Sequence, residues 1–380
     1  MENRRNYTLE FWRFFFSLII CAFHFESIFE KWTVAEAGFM GVEFFFMLSG
    51  YLIAQSYARR EAVLSCPMSA KEALNISVKY VANKIKLILP TLFVILILFV
   101  FVFAQGSLLE KVRHAMNMEW DFLMLSGTSF GWNAGNLFMP TAWFLTAILA
   151  VGYVVTFFMN WKPDVLKFLA PVAALLLYSY FGSNTDRLLE HELSFGFLDT
   201  GFIRAFAGMG LGVTAHMLCA AASGKKFGKI KLILLNVLEL YVVCRLVYLL
   251  FTQTLGMDNF RLIAYMLVLV LLSFMNVTVL SKLLNNPVSR FLGSVSLTIY
   301  LLHWSLIEQY YKLIRNPKIM FKLYRLRGLA PFKGYGNPLL DVILYTLTVV
   351  ACAVVLSLAM KYGRRLAALL REKYRARTAK

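Results

Sequence analysis

Charge is scarce in this chain, and acidic charge is scarcest. Only 16% of the 380 residues are Asp, Glu, Lys or Arg, with 21 acidic against 39 basic. A soluble domain carries nearer a quarter of its residues charged, so composition excludes an ordinary water-facing globule. Cysteine is also rare. Cys21, Cys66, Cys219, Cys244 and Cys352 are scattered, odd in number and form no CxxC pair. That pattern excludes a disulfide framework or a metal knuckle, and buried free thiols acting as small apolar residues are expected. No internal repeat stands out, and no low-complexity linker or appended soluble domain is expected. No cleavable leader is expected, because the first apolar stretch is too long for one and contains Arg13 and His24.

What is present is apolar length. The chain is 59% hydrophobic with a mean hydropathy of +0.65. Apolar runs predict ten spans, near 9–29, 38–57, 86–105, 140–160, 167–182, 200–220, 232–252, 261–280, 293–311 and 338–360. The fifth is the weakest, being short and containing Pro171. The fold class is therefore an all-α polytopic membrane protein with about ten transmembrane helices. A membrane domain over 1–361 and a basic tail over 362–380 are expected. Lys and Arg concentrate in alternate loops, which places both termini in the cytoplasm. A net charge of +18 would suggest nucleic acid in a soluble protein. Here orientation and anionic lipid account for it, and no nucleic-acid partner is expected. The basic loop 316–333 falls outside and strains the orientation rule. An interfacial amphipathic helix is expected over 69–86. The outer loop 105–139 carries Glu119, Trp120, Asp121, Trp132, Asn133 and Asn136, which suit a carbohydrate and equally suit a membrane surface.

Ionisable residues at membrane depth are costly and tend to face a bundle interior or a water-filled cavity. The first span holds Arg13 and His24, with Glu26 close by. Eleven residues are close to three helical turns, so the two side chains share a face about 16 Å apart along the axis. His24 is a candidate proton acceptor for a hydroxyl. In the second span Glu43 lies near the expected depth of His24 and is a candidate orienter of its imidazole. Ser49 and Gly50 follow it, and with Gly38 and Gly41 they also suit a tight helix seam. Lys84 and Lys86, with Arg59 and Arg60, form a basic entrance to the third span. That entrance suits both membrane anchoring and phosphate binding. In the ninth span Ser296, Thr298, Tyr300 and His303 suit either a polar helix interface or a substrate tunnel. Arg204, Glu239 and Arg245 are expected to pair among themselves.

The Arg13-to-His24 spacing, the Phe45-Phe46-Met47-Leu48-Ser49-Gly50 block, Trp143-Phe144-Leu145 and the 292–304 block together resemble the acyltransferase 3 family of integral-membrane O-acyltransferases. The resemblance runs from about Tyr7 to about Met360. It implies an enzyme that moves an acyl group, expected to be acetyl, from cytoplasmic acetyl-CoA or another acyl-CoA to a hydroxyl of an extracytoplasmic carbohydrate. A succinyl or longer chain stays open. The implied catalytic residues are Arg13 and His24, with Glu43 as carboxylate partner. The implied donor site draws on Ser49, Gly50, Lys84, Lys86 and Arg59, and the tunnel on Trp143, Tyr300 and His303. No metal and no bound cofactor are expected; acyl-CoA is the donor substrate. The acceptor partner is an envelope glycan or a lipid-linked sugar, and the setting is a multi-pass protein of the plasma membrane. The chain departs from the family where lysines replace an arginine pair before the third span, where Ile148 replaces a glutamate, and where Glu43 replaces aspartate. The rival reading is a secondary transporter or flippase for an anionic or lipid-linked substrate. It lacks an inverted repeat in the sequence. A non-catalytic membrane partner explains the fewest features.

Overall fold

The computed structural model describes residues 6–26, 34–63, 68–103, 107–116, 118–125, 140–184, 194–195, 198–252, 257–315 and 338–378. In chain order the helices are α1 (Tyr7–Glu26), α2 (Gly41–Glu61), α3 (Ala70–Leu98), α4 (Leu108–Met116), α5 (Glu119–Phe122), α6 (Trp143–Trp161) and α7 (Pro163–Asn184). They continue as α8 (Thr200–Ala222), α9 (Lys229–Leu250), α10 (Met257–Met275), α11 (Val279–Leu284), α12 (Pro287–Arg315) and α13 (Pro338–Thr378). Strand structure among the described residues is one antiparallel ladder of two-residue segments, Ser194–Phe195 with Leu198–Asp199. Nine described helices are long and apolar enough to cross a bilayer. The remaining expected span, the eighth, is α10, whose apolar part Asn259–Met275 is shorter.

Local chemistry sets several helix starts. Asn6 Oδ1 accepts from Thr8 N–H, and Asn286 Oδ1 accepts from Ser289 N–H, each satisfying a first-turn donor. Pro163, Pro287 and Pro338 occupy first helical positions, where a missing N–H costs nothing. Ser69 and Glu72 form a reciprocal capping box at the start of α3. That cap changes one expectation. The stretch 69–86 is not a separate interfacial helix but the first half of α3, which runs unbroken through Pro90 into the third span. Pro171 likewise leaves α7 helical, so the fifth span is longer than its sequence suggests. α13 continues helically through the basic stretch to Thr378.

α2 is the centre of the bundle, with 83% of its span buried, whereas α7 at 17% and α9 at 22% turn apolar side chains outward. α2 packs most extensively on α8, and α1 on α12. The α2–α8 contact is backbone to backbone. A Cβ on Gly50 would fall on the Met209 carbonyl, and one on Gly212 on the Met47 carbonyl. Gly208 and Gly212 are one turn apart, the spacing that lets membrane helices approach closely. Gly228, by contrast, has no neighbour within 4 Å of such an atom.

Replacing Gly50 or Gly212 with Leu should therefore destabilise the bundle by about 2 kcal/mol or more, the range for overpacking. Gly228→Ala, which meets no neighbour but weakens the N-cap of α9, should cost less, about 1 kcal/mol or below. Thermal unfolding in detergent, read with elution profile, checks this. A Gly50→Leu protein as stable as the parent would contradict the seam.

Candidate functional site

α1 carries the first two site residues because α12 lies unusually close to it. A Cβ on Gly293 would collide with Glu10, so glycine there permits the approach. Ser17 Oγ donates to the Arg13 carbonyl at 2.8 Å and approaches the Ser296 carbonyl at 3.2 Å. Arg13 Nη1 donates to Glu10 Oε2 at 2.8 Å, one turn earlier on the same face. The Arg13 side chain is 27% exposed and Glu10 only 7%. Arg13 is thus a compensated cation rather than a free one.

Beside this pair lies a cavity of ≈ 860 Å³. α2 lines it from Phe45 to Arg59, a length of about 21 Å at the helical rise. Asn6, Asn276, Asn285, Arg59 and Lys84 give it polar walls, and Arg13, Glu10, Ser49 and Ser296 meet it further along. Phe45, Phe144, Leu145, Ile148, Leu297 and Tyr300 close the other end. Lys84 also lies over the Tyr80 ring at 5.6 Å. Neither Arg59 nor Lys84 makes an ion pair among the described residues. The cavity therefore grades from cationic to apolar.

His24 lies beyond the apolar end. Its ring stacks on His303 with centroids 5.2 Å apart and planes at 29°, and meets Trp304 edge-on at 5.5 Å. The imidazole is half-buried against protein, and it does not line the cavity. His303 lies between. It is fully buried, 5.7 Å from the Tyr300 ring, and Nδ1 donates to the Tyr300 carbonyl at 2.6 Å. A carbonyl only accepts, so the Nδ1 proton is fixed and Nε2 of neutral His303 is a lone-pair acceptor. Nε2 has no partner. Tyr300 Oη donates to the Thr141 carbonyl at 2.6 Å, and Tyr345 Oη to the His303 carbonyl at 2.5 Å. Tyr345 is in turn stacked flat on Phe25 at 4.1 Å.

Several sequence-predicted roles change. Glu43 does not orient His24. One carboxylate oxygen accepts from Arg204 Nε at 2.8 Å and the other from Tyr178 Oη at 2.5 Å, all fully enclosed. α2 turns this carboxylate toward α7 and α8, where Gly208 leaves it room. Arg204 pairs with Glu43, not with Glu239. Glu239 accepts from Ser281, and Arg245 lies over the Tyr248 ring at 5.1 Å. Trp143 is not a tunnel wall but a floor under the Arg204 guanidinium, 5.4 Å from the ring centroid. Gly50 faces Met209 and belongs to the seam, not to donor binding. Lys86 is exposed and lies outside the cavity lining. Ser49, Lys84, Arg59 and Tyr300 do line it.

Glu10 and the three asparagines were missed from sequence. Glu10 was detectable, since it lies three residues before Arg13. The asparagines come from three distant segments. The side chains of Glu26 and Trp120, and the residues Trp132, Asn133, Asn136, Cys66 and 316–333, lie outside the described residues. The four described cysteines are free thiols.

A helical bundle with an internal cavity and ionisable side chains at membrane depth defines a multi-pass membrane protein. The family described as acyltransferase domain matches residues 6–358, and the chain belongs to it. It is a membrane acyltransferase. No curated protein and no solved structure matches the chain.

Breaking a buried ion pair leaves an uncompensated charge and costs about 3–5 kcal/mol. Arg204→Met should approach that loss in thermal unfolding, because it strands Glu43. Glu43→Gln keeps an acceptor for Tyr178 but strands the Arg204 guanidinium, which cannot shed its charge, so it should cost at least as much. Loss of less than about 1 kcal/mol in both variants would show that the pair is not the anchor described.

Proposed function

We propose that this protein transfers an acyl group, acetyl in the simplest case, from cytoplasmic acyl-CoA to a hydroxyl of an extracytoplasmic carbohydrate. The observation that carries this reading is the grading of the cavity. Acyl-CoA is graded in the same way, with phosphates at one end and a thioester at the other. Both chain termini and the Arg59–Lys84 mouth are assigned to the cytoplasm, in line with the bias of Lys and Arg in the loops.

In this mechanism the phosphates rest at Arg59 and Lys84 as point charges. The amide-bearing arm passes Arg13. The guanidinium N–H groups not used by Glu10 hold carbonyl oxygens, and Ser49 supplies a further hydroxyl. The thioester meets Tyr300, and a swing of that ring away from Thr141 opens the way to His303 and His24. His24 takes the proton of the acceptor hydroxyl as the oxygen attacks the thioester carbonyl. The C–S bond breaks and the proton passes to the departing thiolate, which leaves as free coenzyme thiol. A covalent acyl-His24 intermediate would give the same products in two steps. Glycans of an envelope, or a lipid-linked sugar, suit a hydroxyl arriving at the far end.

His24→Ala should abolish transfer, read by mass spectrometry as the loss of an added acyl mass on envelope glycans, while the variant inserts and unfolds like the parent. Near-normal transfer by His24→Ala would falsify this mechanism. Flux of substrate across proteoliposomes with no covalent product would favour a transporter instead. Arg59→Ala combined with Lys84→Ala should raise KM for acyl-CoA about tenfold or more, since each removes a phosphate partner. kcat should fall less, because neither side chain reaches the reacting atoms.

A further inference from the structure

One buried ring interrupts the route through the protein. The cavity ends at Tyr300, His24 stands on the far side, and His303 lies between them. Its ring centroid is 5.7 Å from that of Tyr300 and 5.2 Å from that of His24. A thioester arriving through the cavity therefore meets His303 before His24. His303 is fully buried, and its Nδ1 proton is committed to the Tyr300 carbonyl at 2.6 Å. Nε2 carries the lone pair and has no partner among the described residues. Leaving a buried acceptor unsatisfied is costly. The fold thus keeps an oriented nucleophilic nitrogen that none of its described hydrogen bonds uses.

We propose that His303 is the acyl carrier: Nε2 takes the acyl group from the thioester and passes it to the acceptor hydroxyl that His24 deprotonates. The inference rests on the acyl-CoA reading above and deepens it by splitting the transfer into two displacements at two histidines. In the first, the Tyr300 ring moves aside and Nε2 attacks the thioester carbonyl. The N–C bond forms, the C–S bond breaks, and the coenzyme leaves as the thiolate. The ring is left as an acylimidazolium. Its positive charge is shared with Nδ1–H, which already points at the Tyr300 carbonyl, and a hydrogen bond to an ionised donor is the stronger kind. In the second, His24 takes the hydroxyl proton, the oxygen attacks the same acyl carbonyl, and the N–C electrons return to Nε2. The proton on His24 passes through solvent to the thiolate, so atoms and charge balance. The surroundings of the two rings suit these roles. His303 is held by the Tyr300 carbonyl on its ring and by the Tyr345 hydroxyl on its backbone, as a fixed nucleophile must be. His24 is half-buried, as a base that meets an incoming hydroxyl must be. Donor and acceptor then need never share one chamber, because the acyl group crosses the aromatic layer on a side chain of that layer.

The test is the first half-reaction. Purified full chain in detergent is mixed with acetyl-CoA and no acceptor. Free coenzyme thiol is counted, and the acid-quenched protein is digested and its peptides weighed. The parent and His24→Ala should each release a burst of thiol equal to the amount of protein, with the acetyl mass on the peptide that holds His303. His303→Gln keeps a hydrogen-bonding amide but no nucleophilic ring nitrogen, and should lower the burst about a thousandfold or more. By calorimetry it should bind acetyl-CoA within about threefold of the parent, which separates lost chemistry from lost folding. Should His303→Gln fail to bind, the position of the acetyl mass in the parent and in His24→Ala decides alone. If His303→Gln gives the parent's burst, if the acetyl mass lies on the His24 peptide, or if the parent binds acetyl-CoA and releases no thiol, the inference is overturned while the acyl-CoA reading stands. If the parent neither binds nor consumes acetyl-CoA, the acyl-CoA reading falls and this inference with it.

Discussion

Glu43 holds Arg204 and Tyr178 on its two carboxylate oxygens, and all three side chains are sealed from solvent. This joins α2, α7 and α8 at one point, with the Trp143 ring of α6 under the guanidinium. In hydrocarbon such a set has no water to fall back on, so either all members are placed or the carboxylate is stranded. The pair fixes the rotation of α2 about its own axis. Once that rotation is set, Gly50 must face the α8 backbone and Ser49, one residue earlier, must face the cavity. The seam and the site are therefore two faces of one helix held by one ion pair.

α1 obeys the same constraint differently. Its charge is balanced within the helix, by Glu10 three residues before Arg13, and the packing partner α12 supplies space rather than charge through Gly293. An internal pair can face a cavity without fixing a neighbouring helix, which leaves the guanidinium partly exposed for a ligand. The contrast is physical. Arg204 is spent on structure, whereas Arg13 keeps donors to spare.

The fold was largely legible from sequence because membrane length is a strong signal. Twenty apolar residues can do little but span, and helix is what an isolated span allows. Where the reading failed, the cause was local. The capping box at Ser69 extends α3 without a break, and Pro90 and Pro171 sit in helices whose freed carbonyls a membrane bundle tolerates. The placement of Arg13 and His24 on α1 was legible, because their spacing is read from one helix. It was not legible across helices. Glu43 and Arg204 are 161 positions apart, and no local pattern says which of two nearby ionisable groups a carboxylate will choose. Burial also decided against Lys86 and Gly50. In a helical span a shift of one residue rotates a side chain by about 100°, enough to move it from cavity to seam.

The closed end of the cavity is an aromatic layer between the cavity and His24. His24 is separated from the cavity by Tyr300 and His303. The polar interaction holding the Tyr300 hydroxyl in place is its bond to the Thr141 carbonyl. Moving that ring would break this bond, worth about 1 kcal/mol net, and would also give up the packing of a buried ring on Phe144 and His303, so the closed layer is the stable one. His303 is held more firmly, by a bond to the Tyr300 backbone and by the Tyr345 hydroxyl on its own carbonyl, neither of which depends on the Tyr300 side chain. Rotation of Tyr300 therefore exposes a pre-oriented imidazole with a free Nε2 lone pair. The stacked His24 behind it keeps its place on the first helix. In the proposed acyl transfer, a closed aromatic layer backed by the stacked histidine pair would keep bulk water from the thioester until the acyl group opens the way, favouring transfer over hydrolysis.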